Sequence, residues 1–288
     1  MELPETEDIY ARMRQIEFLK MHGLGNDFVV LDGRLPGPAL AVADYRAVGD
    51  RRRGVGYDQF LTIEASKNGG DAFMRIHNPD GSEAGACGNG TRCVAGLVME
   101  EFGKNRIDLE TVAGTLVCER VEGGRVRVDM GPARLDAAAI PLSVETDTLS
   151  VEIPDAPYSG ACCVNMGNPH AVFFVDDVEA VALTEVGPKL ELHPIFPDRA
   201  NIEFAEIRGP ELIRMRVWER GAGITEACGS GACAVLVAAA RKGLTGRKAD
   251  VELDGGVLTI EWREDGHVLM TGPVATSFRG TLDLDRLA

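Results

Sequence analysis

No apolar run in the 288-residue sequence approaches the ~20 residues that span a bilayer. Met1–Gln15 is acidic and has no apolar h-region, which excludes a secretory signal and reads as a polar N-terminal extension. Positive charge is scarce: 30 Lys and Arg face 45 Asp and Glu, a net charge of −15 that argues against a nucleic-acid footprint. An anionic small molecule is still allowed, because a site can be locally positive inside an acidic protein. Phosphate-loop and dinucleotide fingerprints are missing as well. The seven cysteines are odd in number and irregularly spaced, which excludes a disulfide framework and makes the reducing cytoplasm the expected compartment. The expected partner is therefore a small molecule, with no nucleic acid and no membrane. The oligomeric state is left open, with a homodimer as one outcome.

What the chain does have is one short phrase, twice. Ala86-Cys87-Gly88-Asn89-Gly90-Thr91-Arg92-Cys93 is echoed by Ala227-Cys228-Gly229-Ser230-Gly231-Ala232-Cys233, and each phrase runs into an apolar stretch of helical character. A cysteine placed there caps a helix, with free backbone N–H groups and the positive end of the helix dipole directed at it. Such surroundings favour thiolate over thiol. The same N–H groups can bind a carboxylate.

Other markers repeat at nearly the same spacing. Cys228 follows Cys87 by 141 positions, and Gly131-Pro132 and Gly272-Pro273 each begin 44 positions after their cysteine. Asn78 and Glu219 each stand nine before it, while Gly25-Asn26 and Gln59 recur as Gly167-Asn168 and Asn201 at an offset of 142. A period this long is a duplicated domain rather than a solenoid. The expected fold is α+β, with two homologous domains related by an approximate two-fold. The expected boundaries are an extension at 1–15, a first domain at 16–134 and a second at 135–275. That arrangement would bring Cys87 and Cys228 to opposite sides of one cleft.

Local signals support the plan. Phe28–Leu31, Gln59–Ile63 and Phe73–His77 read as strands, Asn78-Pro79-Asp80-Gly81 as a turn, and Asp44–Arg53 as a helix. A helix from Cys87 should stop at Gly103, and Glu122-Gly123-Gly124 should turn a hairpin.

Two opposed thiols suit inversion of a stereocentre. One thiolate removes a proton from carbon and the facing thiol returns one to the other side. A four-thiolate zinc site is the competing reading, although Cys-x5-Cys is outside the usual ligand spacing and Cys-x4-Cys is marginal. Buried packing is the expectation for Cys93, Cys118, Cys162, Cys163 and Cys233. A redox sensor is the reading from a different class.

Four co-linear motifs carry a resemblance: Leu19-Lys20-Met21-His22-Gly23-Leu24-Gly25-Asn26-Asp27-Phe28; Asn78-Pro79-Asp80-Gly81-Ser82-Glu83 leading to Cys87; Gly167-Asn168-Pro169-His170; and Glu219-Arg220-Gly221-Ala222-Gly223 leading to Cys228. Over roughly Phe18 to Pro273 the chain resembles the diaminopimelate epimerase family, in a superfamily that also holds proline racemase and hydroxyproline epimerases. The resemblance implies cofactor-independent interconversion of LL- and meso-2,6-diaminopimelate on the route to lysine and peptidoglycan, with no pyridoxal phosphate and no metal. It implies a barrel-like, mostly antiparallel sheet around a central helix in each domain, with residues 276–288 returning to the first. By the same resemblance Cys87 and Cys228 are the acid/base thiols, and His170 and Glu219 tune them. Asn26, Gln59, Asn78, Gly88, Asn89, Asn168, Asn201, Glu219, Arg220, Gly229 and Ser230 bind substrate. Glu203 has no assigned role. A proline or hydroxyproline racemase is the alternative within the superfamily, and Arg220 with the many amides argues for a longer substrate with a charged far end.

Overall fold

The computed structural model describes residues 14–287. The expected extension lies outside the described residues up to Met13, whereas Gln15 already pairs in the first strand. The first repeat runs β1 (Gln15–Gly23), β2 (Asn26–Asp32), α1 (Val42–Gly49), β3 (Gln59–Glu64), β4 (Ala72–His77), β5 (Glu83–Ala84), α2 (Gly88–Phe102), β6 (Arg106–Thr111), β7 (Gly114–Arg120) and β8 (Val126–Pro132). The second runs β9 (Cys162–Asn165), β10 (Pro169–Phe174), α3 (Leu183–Glu191), β11 (Asn201–Gly209), β12 (Leu212–Glu219), β13 (Gly223–Ile224), α4 (Gly229–Arg241), β14 (Lys248–Leu253), β15 (Gly256–Trp262) and β16 (His267–Gly272). A last strand, β17 (Ala275–Asp283), follows.

The duplication holds at the level of strand register. β2 and β3 pair in parallel with Phe28 opposite Gln59, and β10 and β11 pair in parallel with His170 opposite Asn201, 142 positions on. β4 joins β6 in parallel, as β12 joins β14. Cys118 faces Val128 across β7 and β8, and Ile260 faces Met270 across β15 and β16 at the same shift. β8 and β16 also pair with each other, antiparallel, with Val128 opposite Met270.

The chain falls into two compact units. One takes the chain up to Gly23, Asp27–Thr115 and the segment from Val274; the other takes Leu24–Asn26 and Leu116–Pro273. In the first unit β17 lies antiparallel to β1, from Gln15 opposite Asp283 to His22 opposite Ala275. α2 packs against β1, β3, β4 and β6. In the second unit α4 is surrounded by β9, β10, β11, β12, β14, β15 and β16. Its residues Ala232–Ala239 are all fully buried, so this helix is apolar all round, as a helix enclosed by a sheet must be. Its alanines let the surrounding strands approach closely.

Both long helices begin at the doubled phrase. Cys87 caps α2 and Cys228 caps α4, each with extended backbone, and Gly103 ends α2 in the left-handed conformation at φ 63°. The helix expected over Asp44–Arg53 is shorter than its sequence suggests. α1 ends at Gly49, because Asp50 Oδ1 accepts from the N–H groups of Arg52 (2.8 Å) and Arg53 (3.0 Å) and folds them into a turn.

Candidate active site

Local geometry at the two caps is nearly the same. Cys87 Sγ accepts from Gly90 N–H at 3.3 Å, and Cys228 Sγ accepts from Gly231 N–H at 3.4 Å. The second glycine of each phrase leaves little room beneath the sulfur, since a Cβ on Gly90 would lie 3.3 Å from its sulfur and one on Gly231 3.2 Å from its own. Cys87 is half-buried and Cys228 only 4% exposed. The other five cysteines are buried, and the seven form no disulfide. Cys93, one turn inside α2, is pushed up to about 12 by burial, which suits an inert core thiol.

The site residues expected in the first repeat lie at the start of α2 and at strand ends and turns. Asn89 is buried, and its Oδ1 accepts from Nη1 of the fully buried Arg92 at 2.8 Å. Thr91 Oγ1 donates to the Cys87 carbonyl at 2.9 Å and tightens the first turn. Gln59 opens β3 and is half-buried. Asn78 follows β4, and its Nδ2 donates to Ser82 Oγ at 3.0 Å across the Pro79–Gly81 turn. Asn26 stands at the β1–β2 turn, after Leu24 and Gly25 in left-handed conformations.

Around Cys228 the surroundings are acidic. Glu219, at the end of β12, is half-buried and hydrogen-bonded to Thr225 Oγ1 and to Cys228. Burial pushes its carboxyl up, against the Thr225 and Cys228 hydrogen bonds. Ser230 Oγ lies 3.6 Å from Cys228 Sγ. Glu203, on β11, is fully buried and lies 2.6 Å from Nδ1 of the equally buried His170 on β10. His170 Nε2 faces Asn168 Oδ1 at 2.9 Å.

One expectation changes here. A helix N-terminus by itself favours thiolate, but the Cys228 thiol is driven well above its ordinary value. Burial is the main cause, followed by the Glu219 and Glu203 carboxylates, and together they outweigh the Ser230 hydroxyl and the Gly231 N–H. Cys228 is therefore set to carry a proton. Asn201, which the resemblance assigns to substrate, also braces the backbone: Nδ2 donates to the Pro169 carbonyl and Oδ1 accepts from Arg220 N–H, both at 2.9 Å. In this arrangement it fixes the start of the Arg220 turn, while the Arg220 guanidinium donates to the Asp198 carbonyl at 3.1 Å.

Sequence reasoning missed two supports. Glu191 at the end of α3 accepts from Trp218 Nε1 (2.7 Å) and Gly221 N–H (3.0 Å), which pins the strand end that carries Glu219. The 142-residue shift applied to α1 places a helix over α3 and would have found it. Glu203 is the other, since nothing local in the sequence shows that it lies beneath Cys228. Among the described residues no group of three or more His, Cys, Asp or Glu is placed to hold a metal ion, and no helix is long and apolar enough to cross a membrane.

The family model for diaminopimelate epimerase matches residues 18–135 and 162–277, one stretch in each repeat. A diaminopimelate epimerase of Rhodospirillum centenum is 62% identical over 266 residues, which cover 92% of this chain and 91% of that one. Another, of Acidiphilium cryptum, is 55% identical over 271 residues, covering 94% and 98%. Among solved structures, a phenazine biosynthesis protein of the PhzF family from Bacillus anthracis matches with a TM-score of 0.67 at 15% identity, covering 94% of this chain and 99% of that one. A hydroxyproline epimerase from Agrobacterium vitis, solved with bound trans-4-hydroxy-L-proline, matches with a TM-score of 0.63 at 18% identity, covering 94% and 93%. At those identities the likeness to the two structures is one of fold.

Proposed function

The chain belongs to the diaminopimelate epimerase family of isomerases, and from that premise we propose that Cys87 and Cys228 are the acid and base of a cofactor-independent epimerisation of LL- to meso-2,6-diaminopimelate. One observation carries the reading. Each repeat caps its long helix with a cysteine whose sulfur accepts the N–H of the second glycine of the phrase.

In one direction the Cys87 thiolate takes the α-proton, and Cys228, kept protonated by its surroundings, delivers its own proton to the opposite face. In the other direction the roles exchange. The carbanion formed between the two steps places negative charge on the α-carboxylate. Preorganised N–H groups stabilise such charge, and the helix starts at Gly88-Asn89 and Gly229-Ser230 supply them. Asn26, Gln59, Asn78, Asn168 and Asn201 provide or position neutral donors and acceptors for a substrate with charge of both signs at each end. Glu219 suits an ammonium and Arg220 a distal carboxylate. Within this reading His170 and Glu219 set the proton affinity of the thiols, the enzyme works in the cytoplasm on the route to lysine and peptidoglycan precursors, and a homodimer is the assembly to look for by sedimentation.

Incubation with LL-diaminopimelate in deuterated water, without added cofactor, tests the reaction. The expected result is meso product carrying α-deuterium. Product without α-deuterium, or full turnover after Cys87→Ala and Cys228→Ala together, would refute the thiol mechanism.

A further inference from the structure

The two repeats share one plan, yet the side chains beneath their cysteine caps are opposite in character. By the register shift of 142, His170 corresponds to Phe28 and Glu203 to Leu61. In the first repeat a Cβ on Gly90 would meet Leu61 Cδ1 at 3.0 Å. In the second a Cβ on Gly231 would meet Glu203 Oε1 at 2.9 Å. The same place under the second glycine therefore holds a methyl group below Cys87 and a carboxylate oxygen below Cys228.

Packing does not explain the carboxylate. Glu203 is fully buried, its Oε1 is bonded to His170, and among the described residues its Oε2 has no hydrogen-bond partner. A buried carboxylate with an unsatisfied oxygen is unfavourable. The first repeat closes the same scaffold with Phe28 and Leu61, so the fold has an apolar solution at these positions. An unfavourable group that the architecture can do without calls for another reason.

We infer that Glu203, held by His170, is a positioning residue whose charge makes the two thiols unequal and keeps Cys228 as the proton-bearing member of the pair. The inference rests on the two-thiol reading for its catalytic meaning, but not for its geometry. Among the described residues the groups facing Cys228 are Glu219 from β12, Glu203 from β11 with His170 of β10 bonded to it, and Ser230 Oγ and Gly231 N–H from α4. Cys163 of β9 is also close enough to Glu203 to feel its charge. Both carboxylates act in one direction on the thiol, disfavouring loss of its proton. Glu219 lies at the site and hydrogen-bonds Cys228, so its charge is open to change when substrate binds. Glu203 is sealed from solvent and supplies a fixed bias. An epimerase that ran with two thiolates, or with two thiols, would lack either the acid or the base, and a built-in difference avoids both states.

Cysteine labelled with ¹³C at Cβ reports protonation directly, even for a buried thiol. Spectra of the whole protein would be titrated for the parent and for Glu203→Gln, with Cys87 and Cys228 signals assigned by single Cys→Ser variants. In Glu203→Gln the Cys228 signal should titrate at lower pH by about one unit, a roughly tenfold change in thiolate fraction at a given pH, while the Cys87 signal stays in place. The double variant His170→Phe with Glu203→Leu installs the pair that the first repeat already tolerates, and should give the same shift if Glu203→Gln folds poorly. A Cys228 signal that titrates unchanged, that stays protonated throughout in parent and variants alike, or that moves together with Cys87, overturns the inference. No turnover is measured, so activity surviving Cys228→Ala would remove the two-thiol reading as a separate result.

Discussion

The guanidinium of Arg92, with no exposure to solvent, donates from Nη1 to Oδ1 of Asn89 at 2.8 Å within the first turn of α2. A buried cation one turn beyond the Cys87 cap thus holds the side chain that the resemblance assigns to substrate. Arg92→Met should release Asn89, lowering kcat/KM by about tenfold or more, and should cost about 1–3 kcal/mol of stability, as a buried acceptor left without its donor does. Steady-state kinetics and urea denaturation check both. An Arg92→Met protein with parental kinetics would show that Asn89 needs no such support.

The two glycines beneath the sulfurs should respond differently to the same change. In Gly231→Ala the new methyl meets a carboxylate oxygen pinned by His170, whereas in Gly90→Ala it meets the rotatable end of Leu61. Overpacking against an immobile neighbour costs about 1–3 kcal/mol, while alanine gains about 1 kcal/mol over glycine in a helix. Gly90→Ala should therefore be near neutral in stability and Gly231→Ala clearly destabilised. Equal denaturation midpoints for the two variants would contradict the difference between the sites.

Replacing either proposed acid/base thiol with serine should abolish most turnover without unfolding the protein. A hydroxyl neither gives up its proton nor takes one as readily near neutral pH, and loss of one general acid or base typically costs about 10²–10⁴-fold. Cys87→Ser and Cys228→Ser should each fall in that range, with circular dichroism and melting close to the parent. Cys93→Ser and Cys233→Ser, inside the helices, should affect melting rather than chemistry.

Glu110 is a structural carboxylate. It accepts from the backbone N–H groups of Lys67 (2.8 Å), Asn68 (2.9 Å) and Gly70 (2.8 Å) and from Ser66 Oγ (2.9 Å), and ties the 66–70 loop to β6. Those donors, the Lys67 N–H foremost, hold its pKa at about 2 instead of the ordinary 4.5. A depressed carboxyl stabilises the fold above its ordinary value and loses that effect as pH falls through the lowered one. Glu110→Gln should therefore be less stable than the parent at pH 7, with the gap narrowing from about pH 4.5 towards pH 2. Urea midpoints measured across that range check it, and a gap that widens on acidification would be the wrong sign.

The cysteine caps, the Gly103 stop and the 142-residue shift could all be read from the chain, because each depends on neighbours within one turn or on a repeated spacing. What could not be read depends on strands brought together over distance. The helix-start rule sees the N–H of Gly231 but not the carboxylates that β11 and β12 carry to the sulfur, so it gets the direction for Cys228 wrong. The backbone bonds of Asn201, from Nδ2 to the Pro169 carbonyl and from Arg220 N–H to Oδ1, likewise depend on strands and turns distant in sequence. α3 gives little local signal, for its nine residues include Pro188 and show no long apolar run, although α1 one shift earlier announces it.

The ladder between β8 and β16 has a local two-fold in its register. Val128 faces its counterpart Met270, and to either side Arg127 faces Thr271 while Asp129 faces Leu269, each the counterpart of the other's partner. A chain severed between its halves would leave both fragments with the same bare edge, one whose hydrogen-bonding row already fits a copy of itself. Each piece would then tend to join its own kind rather than persist alone, and the covalent link between the halves serves in part to settle which partner that edge meets.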